Sequence, residues 1–429
     1  MKPRSRYLLI GILIAASFLM GFTYQDVGTG GGIQVLIANI ELMPSRLMSI
    51  VNTAISVQEA ELPPVETYWS VATYLDANYY GEKPKPKQLT YAAIRGMLAS
   101  LGDRYTRFLD PEEHEEMQNE NRGDFEGIGA ELDTKEGRVY IKKFTRKSAA
   151  LRAGLHAGDV ILKVNDELIQ GLDITDVVKM IRGDVGTKVK LTIARDDHPE
   201  PLAIEIVREV IPYDIVEERM EDDVSKIGYI ALRQFNEQCD QQLYEALNEL
   251  DSKGARALIL DLRGNPGGLL DSAISIGSRF IDSGNIVIVQ QKGGRRNALP
   301  VDRSKHNHAI RPLVVLVDHM TASASEIVAG AIQDHKAGTV IGSDSFGKGL
   351  IQTIINLQDR EAVIITTAKY LTPAGHEVQE KKIHPDIVIE PSDDDIKNDN
   401  DVQLKRAVQF LKDAVGNQAK SEIKSNEKS

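Results

Sequence analysis

A chain of 429 residues is too long for one ordinary core and calls for two or three domains, which 42% hydrophobic residues suffice to fill. A formal net charge of −12 argues against a nucleic-acid partner, whose phosphates need a basic face. Cys239 is the only cysteine, which excludes an intramolecular disulfide and a cysteine metal site; it reads as a packing residue at the start of a helical stretch, 240–250.

Lys2, Arg4 and Arg6 precede an almost unbroken apolar run from Tyr7 to Phe22. A basic segment followed by an apolar one is the pattern of a secretory signal or signal anchor, assigned to residues 1–24. Ala15-Ala-Ser17 offers a cleavage point only after a short apolar run, so removal and retention both stay open. In either case the positive-inside rule predicts an exported chain, in the periplasm or on the extracytoplasmic face of the cytoplasmic membrane. An uncleaved segment would hold it to that membrane. Residues 25–62 form a linker or helical segment, with a glycine-rich joint at 29–32 and no assignable role.

Val65, Trp69, Ala72 and Tyr79 mark one helix, closed by Gly81 and the proline-rich stretch 83–87. Leu89, Ile94, Met97, Leu98 and Leu101 mark a second, ended by Gly102, giving a helical region over 63–112. Short strands with one helix follow, in a module spanning 113–209. Its features are the glycine turn Gly127-Ile-Gly-Ala130, the run Ala153-Gly-Leu-His-Ala-Gly-Asp-Val-Ile-Leu-Lys-Val-Asn165, and a helix capped by Asp173 and stopped by Gly183. The module resembles a PDZ domain. That resemblance implies a peptide added to a sheet edge, with its terminal carboxylate held by the amides of Gly127, Ile128 and Gly129. Val177, Val178 and Ile181 are then the candidates to line the pocket.

From Lys226 the texture becomes alternating α/β, and 210–391 reads as one domain with buried strands. Strands are predicted over 228–232, 257–262, 286–290, Leu313–Val317 and 339–341, with helices over 241–250 and 269–280. Ser323 opens a helix signalled by Ile327, Val328, Ala331 and Ile332. With Glu326 it forms S-x-x-E, which by itself is the mark of an ordinary helix start. Lys348, flanked by glycines after a strand, can pack tightly against another backbone and, once buried, act as a base for the serine hydroxyl. The charged tail from Ser392 to Ser429 is expected to be mostly disordered, interrupted by a short amphipathic stretch at Leu404, Ala407, Val408 and Leu411.

Two other chemistries fit poorly. Gly342 to Lys348 matches G-x-x-x-x-G-K, but Gly349 stands where a phosphate loop needs Ser or Thr, and a β-branched run follows where it needs a helix. His319 lies four residues before Ser323 with nothing to aim it at the hydroxyl, so it reads as a turn histidine rather than the base of a Ser/His/Asp triad.

Taken together, Thr321-Ala-Ser-Ala-Ser-Glu-Ile327, Phe346-Gly-Lys-Gly349 with Gln352, Asp261-Leu-Arg-Gly-Asn-Pro-Gly-Gly268, Tyr370-Leu-Thr-Pro-Ala-Gly375 and Ile383-His-Pro-Asp386 resemble the C-terminal processing, or tail-specific, proteases. Ala93-Ile-Arg-Gly-Met97 and Leu101-Gly-Asp103 fit the same pattern, so the likeness spans about 65–390. It implies a crotonase-like α/β catalytic domain with an inserted PDZ domain and an N-terminal helical segment. It further implies a serine endopeptidase acting near the C-termini of exported or membrane-associated proteins. Ser323 would be the nucleophile, Lys348 the general base and Gln352 the residue orienting the lysine. Gly267 or Gly268 with Ala324 would supply the oxyanion hole. Thr321 departs from the serine of many relatives, outside the catalytic position. The module would gate the dyad or only tether substrate, and the oligomeric state and any activating partner stay open. Neither a metal nor a cofactor is called for. A PDZ scaffold on an inactive protease body is the alternative, disfavoured by the intact serine and lysine.

Overall fold

The computed structural model describes residues 65–305, 312–379 and 381–426. The expected signal segment, 1–24, and the linker, 25–62, lie outside them. The chain divides into two units at Lys85 and Pro86. In the described part of the first, helix Val65–Asn78 buries none of its residues. Among the described residues no helix is long and apolar enough to cross a membrane.

The second unit is built on a six-stranded sheet in the order Val216–Asp222, Ile227–Leu232, Ala257–Asp261, Leu313–Val317, Thr339–Gly342 and Ile387–Val388. Only the first pair is antiparallel; every other neighbour is parallel. The three central strands, Ile227–Leu232, Ala257–Asp261 and Leu313–Val317, are buried at every position because both faces of the sheet are covered there, which is why they read as largely apolar runs. Alternate residues divide between the faces. Ile230, Leu232, Leu258, Leu260, Val315 and Val317 pack with helices Cys239–Ser252, Leu270–Phe280 and Ala324–Asp334. Tyr229, Ile259, Val314, Leu316 and Ile341 pack with Ala407, Leu411 and Val415. Those three residues belong to helix Val402–Asn426, so the tail expected to be mostly disordered instead forms one cover of the sheet. Its apolar residues recur at helical spacing but are diluted by charge, and only the partner sheet reveals what they bury against.

A second, antiparallel sheet has Ala362–Leu371 at its centre. Leu350–Asn356 pairs along one edge of that strand, and Arg107–Leu109 and Asn285–Gln291 pair with it as well. The PDZ-like module is a third sheet, ordered Ala130–Lys135, Arg138–Phe144, Val160–Val164, Lys188–Arg195 and His198–Val207. It encloses its own core, with Ile141, Leu155, Val164, Leu191 and Ile193 fully buried. The chain enters and leaves this module through two paired strands, Asp124–Gly127 and Glu209–Pro212, as an insertion requires.

Candidate active site

Strand Leu313–Val317 runs into a tight turn and then helix Ala324–Asp334, with Ser323 at the junction. Ser323 has φ 55° and ψ −116°, a conformation L residues rarely adopt and that costs about 1–3 kcal/mol. The turn is fixed from several sides. Its Ala322 N–H donates to the carbonyl of Asn265 (3.0 Å), Thr321 Oγ1 donates to the carbonyl of Leu262 (2.9 Å), and Phe346 N–H donates to the carbonyl of Thr321 (2.9 Å).

The glycine loop 264–268 is pressed against this turn. A Cβ on Gly267 would stand 2.7 Å from Ser323 Cβ and 2.8 Å from Ala324 N, and φ is +97° there, so only glycine fits. At Gly268, φ +145°, a Cβ would fall 2.0 Å from the carbonyl oxygen of Phe235. The Gly267 N–H donates to Asn265 Oδ1 (2.9 Å). The loop is anchored from beneath by Arg263, which clamps Asp261 (2.7 Å) and also Asp401 (2.8 Å) at the start of the C-terminal helix.

Glu326 is the hub of the site. It is fully buried, yet its carboxylate is surrounded by donors. Oε2 accepts from the N–H groups of Ser323 (2.8 Å) and Lys348 (3.0 Å), and Oε1 accepts from Gly347 N–H (2.7 Å) and the Ser345 hydroxyl. The amide nitrogens of Ser323 and Lys348 thus converge on one oxygen atom and lie at most about 6 Å apart. Burial pushes the pKa of Glu326 up, and these donors offset part of that shift. Tyr370, also buried, donates its hydroxyl to the Lys348 carbonyl (2.7 Å), with the Ser323 carbonyl oxygen 3.1 Å away.

The Lys348 ammonium lies 4.9 Å from the centre of the Tyr105 ring and has no carboxylate within salt-bridge distance among the described residues. Desolvation is the largest cause holding its pKa below the usual lysine value, with repulsion from Arg107 and Arg104 in the same direction and attraction from Glu326 opposed. Gln352 sits at a register shift in strand Leu350–Asn356, and its amide donates to Thr366 Oγ1 (3.3 Å). His319 is exposed on the turn.

In the PDZ-like module a cavity of about 390 Å³ is lined by Gly127, Ile128, Gly129, Val178 and Ile181, together with residues of strand Ala130–Lys135. Val177 is turned into the module's core and fully buried, so of the three helix candidates it alone does not line the cavity. Sequence reasoning did not single out Arg182 and Tyr213, which also line the cavity, nor Tyr105, Tyr370 and Glu326 as site residues. In the sequence Glu326 reads as a helix cap inside the Thr321–Ile327 motif, with no role in the site.

Residues 226–389 match peptidase family S41, and residues 141–195 match the PDZ domain. The chain is 40% identical over 313 residues to a carboxy-terminal-processing protease of Bartonella bacilliformis, covering 72% of this chain and 71% of that protein. It is 37% identical over 320 residues to the carboxy-terminal processing protease CtpA of Bacillus subtilis, covering 74% and 67% of the two chains. Among solved structures, the photosystem II D1 C-terminal processing protease aligns at 30% identity with a TM-score of 0.44, over 76% of this chain and 87% of that one. With its S41 body and its PDZ domain, the chain belongs to the carboxy-terminal processing serine proteases.

Proposed function

We propose that this chain is an endopeptidase that uses Ser323 as nucleophile and Lys348 as general base to cleave exported proteins near their C-termini. The α/β body reads as crotonase-like, and the basic and apolar N-terminal residues support action outside the cytoplasm. The observation that carries the reading is the convergence of the Ser323 and Lys348 amides on one Glu326 oxygen, which joins nucleophile and base through a single buried group.

Ser323 Oγ attacks the scissile carbonyl carbon while its proton passes to the neutral Lys348 amine. The negative charge that develops on the carbonyl oxygen is received by backbone amides. The Gly267 N–H is engaged with Asn265, which leaves those of Gly268 and Ala324 for the oxyanion. The lysine then returns its proton to the departing amine, and the acyl-enzyme is hydrolysed by a water that the same lysine activates. Gln352 would help orient the amine by exchanging its bond to Thr366 for one to Lys348.

A fluorophosphonate probe on the full chain tests this. It should label Ser323, at a rate that rises with pH through one ionisation below the ordinary lysine value of 10.5, because the base works only after losing its proton and its charged form is disfavoured by burial. Activity is therefore lost as pH falls through that ionisation. Labelling at another residue, or a rate unchanged by Lys348→Ala, would refute the assignment.

The PDZ domain would select the substrate. Strand Ala130–Lys135 is an edge with only Arg138–Phe144 beside it, and helix Ile174–Ile181 contacts it across the module. A substrate tail can add there as a further strand, with its carboxylate at the 127–129 turn. Charge-assisted hydrogen bonds of this kind contribute about 1.5–3 kcal/mol, so amidating the tail should weaken its binding about ten- to a hundredfold. Calorimetry with the Ser323→Ala chain measures this, and equal affinity for both forms would exclude the turn as the carboxylate site.

A further inference from the structure

The rim of the dyad carries a cation that the reaction described above does not use. Arg104 is exposed, and its guanidinium carbon lies 4.8 Å from the centre of the Tyr105 ring and 5.3 Å from that of Phe346. It also donates to the Tyr105 hydroxyl (2.6 Å) and has no carboxylate partner among the described residues. Both rings belong to the site. Lys348 Nζ lies 4.9 Å from the same Tyr105 ring, and Phe346 precedes Lys348 by two residues. Two aromatic faces therefore hold the guanidinium fork in place next to the base, with its carboxylate-binding capacity unspent. Arg107, also exposed, adds a second positive charge felt at Lys348.

We infer that Arg104 is a specificity-determining residue that receives a carboxylate of the substrate at the mouth of the dyad. This rests on the proposed Ser323 and Lys348 reading and deepens it. A bound polypeptide offers the chemistry from two sources, its terminal carboxylate or an acidic side chain near the cut. Either would place a planar anion against a planar, pre-positioned guanidinium. A carboxylate there would also partly neutralise the positive field around Lys348, so substrates with and without it should show different pH dependence. The arginine's exposure keeps the effect modest, at the scale of a solvent-screened ion pair.

The test is a thermodynamic cycle on the full chain. One short peptide is made with a free C-terminus, with an amidated C-terminus, with an amidated C-terminus and a nearby glutamate, and with an amidated C-terminus and a nearby lysine. The kcat/KM of each is measured for the unaltered chain, Arg104→Gln and Arg104→Glu. Any contribution of the PDZ domain is common to the three proteins and cancels in the ratios. The unaltered chain should prefer a carboxylate-bearing peptide about fivefold at low salt, less as salt is raised. That preference should collapse in Arg104→Gln and turn towards the lysine peptide in Arg104→Glu. Dependence confined to the free-acid peptide identifies the chain terminus as the source, and dependence confined to the glutamate peptide identifies a side chain. Charge ratios identical in all three proteins would overturn the inference while leaving the dyad standing. Failure of the unaltered chain to cleave any of the peptides would overturn both.

Discussion

Replacing Ser323 by alanine, or Lys348 by alanine, should each lower peptide cleavage by at least about 10³-fold, and the double replacement should cost little more than either alone. The non-additivity follows from the chemistry: an amine with no hydroxyl to deprotonate has nothing to activate, and a hydroxyl without its base stays a weak nucleophile. Neither change should unfold the chain. Ser323 keeps its bond from N–H to Glu326 when the hydroxyl is gone, and the Lys348 backbone bonds to Glu326 and Tyr370 do not involve its side chain. His319→Ala should keep most of the activity, because that ring is exposed on the turn. Steady-state kinetics on a peptide substrate, with thermal melts as a fold control, decides the matter. An inactive His319→Ala chain beside an active Lys348→Ala chain would replace the lysine with a histidine base.

The parts of the molecule legible in the sequence are those whose physics is local. Strand Leu313–Val317 is an unbroken apolar run because both its faces are covered, and Gly267 and Gly268 stand out because a turn that tight admits no side chain. The PDZ domain is legible for the same reason, through its glycine turn and capped helix. What escaped depends on contacts between distant positions. Tyr105 meets Lys348 across more than 240 residues, and nothing near either announces the other. Asp401 reaches Arg263 from a segment whose charge suggested disorder, yet that ion pair seats the cover helix beside the loop that faces Ser323. Gln352 is a different case. Its place four residues after Lys348 is plain in the sequence, but the register shift in its strand and its bond to Thr366 appear only when the hairpin is formed. Val177 and Val178 differ by a single helical step, and that step separates the core of the module from the wall of its cavity.

Glu326→Gln should reduce kcat by about 10²-fold with little change in KM, although the two side chains have nearly the same shape. The reason lies in the direction of the backbone hydrogen bonds around the carboxylate. Oε2 faces the N–H groups of Ser323 and Lys348, and Oε1 faces that of Gly347. A backbone N–H can only donate, so the carboxamide NH2 meets a donor whichever way it turns. Turned towards Oε1 it orphans the Gly347 amide, and turned towards Oε2 it orphans those of Ser323 and Lys348. Each buried N–H left without an acceptor costs about 1–3 kcal/mol. The melting temperature should fall as well, by about 2–4 °C per kcal/mol lost. The strained φ of Ser323 is held by one of these bonds, so its relaxation would re-aim the Oγ. A pH profile separates this positioning role from simple loss of stability. Glu326 is a source of attraction for the Lys348 ammonium, so removing its charge should move the acidic limb of the residual activity to lower pH. A chain merely destabilised would lose amplitude at every pH without moving the limb. Full activity with an unmoved profile in Glu326→Gln would show that the carboxylate is only a helix cap.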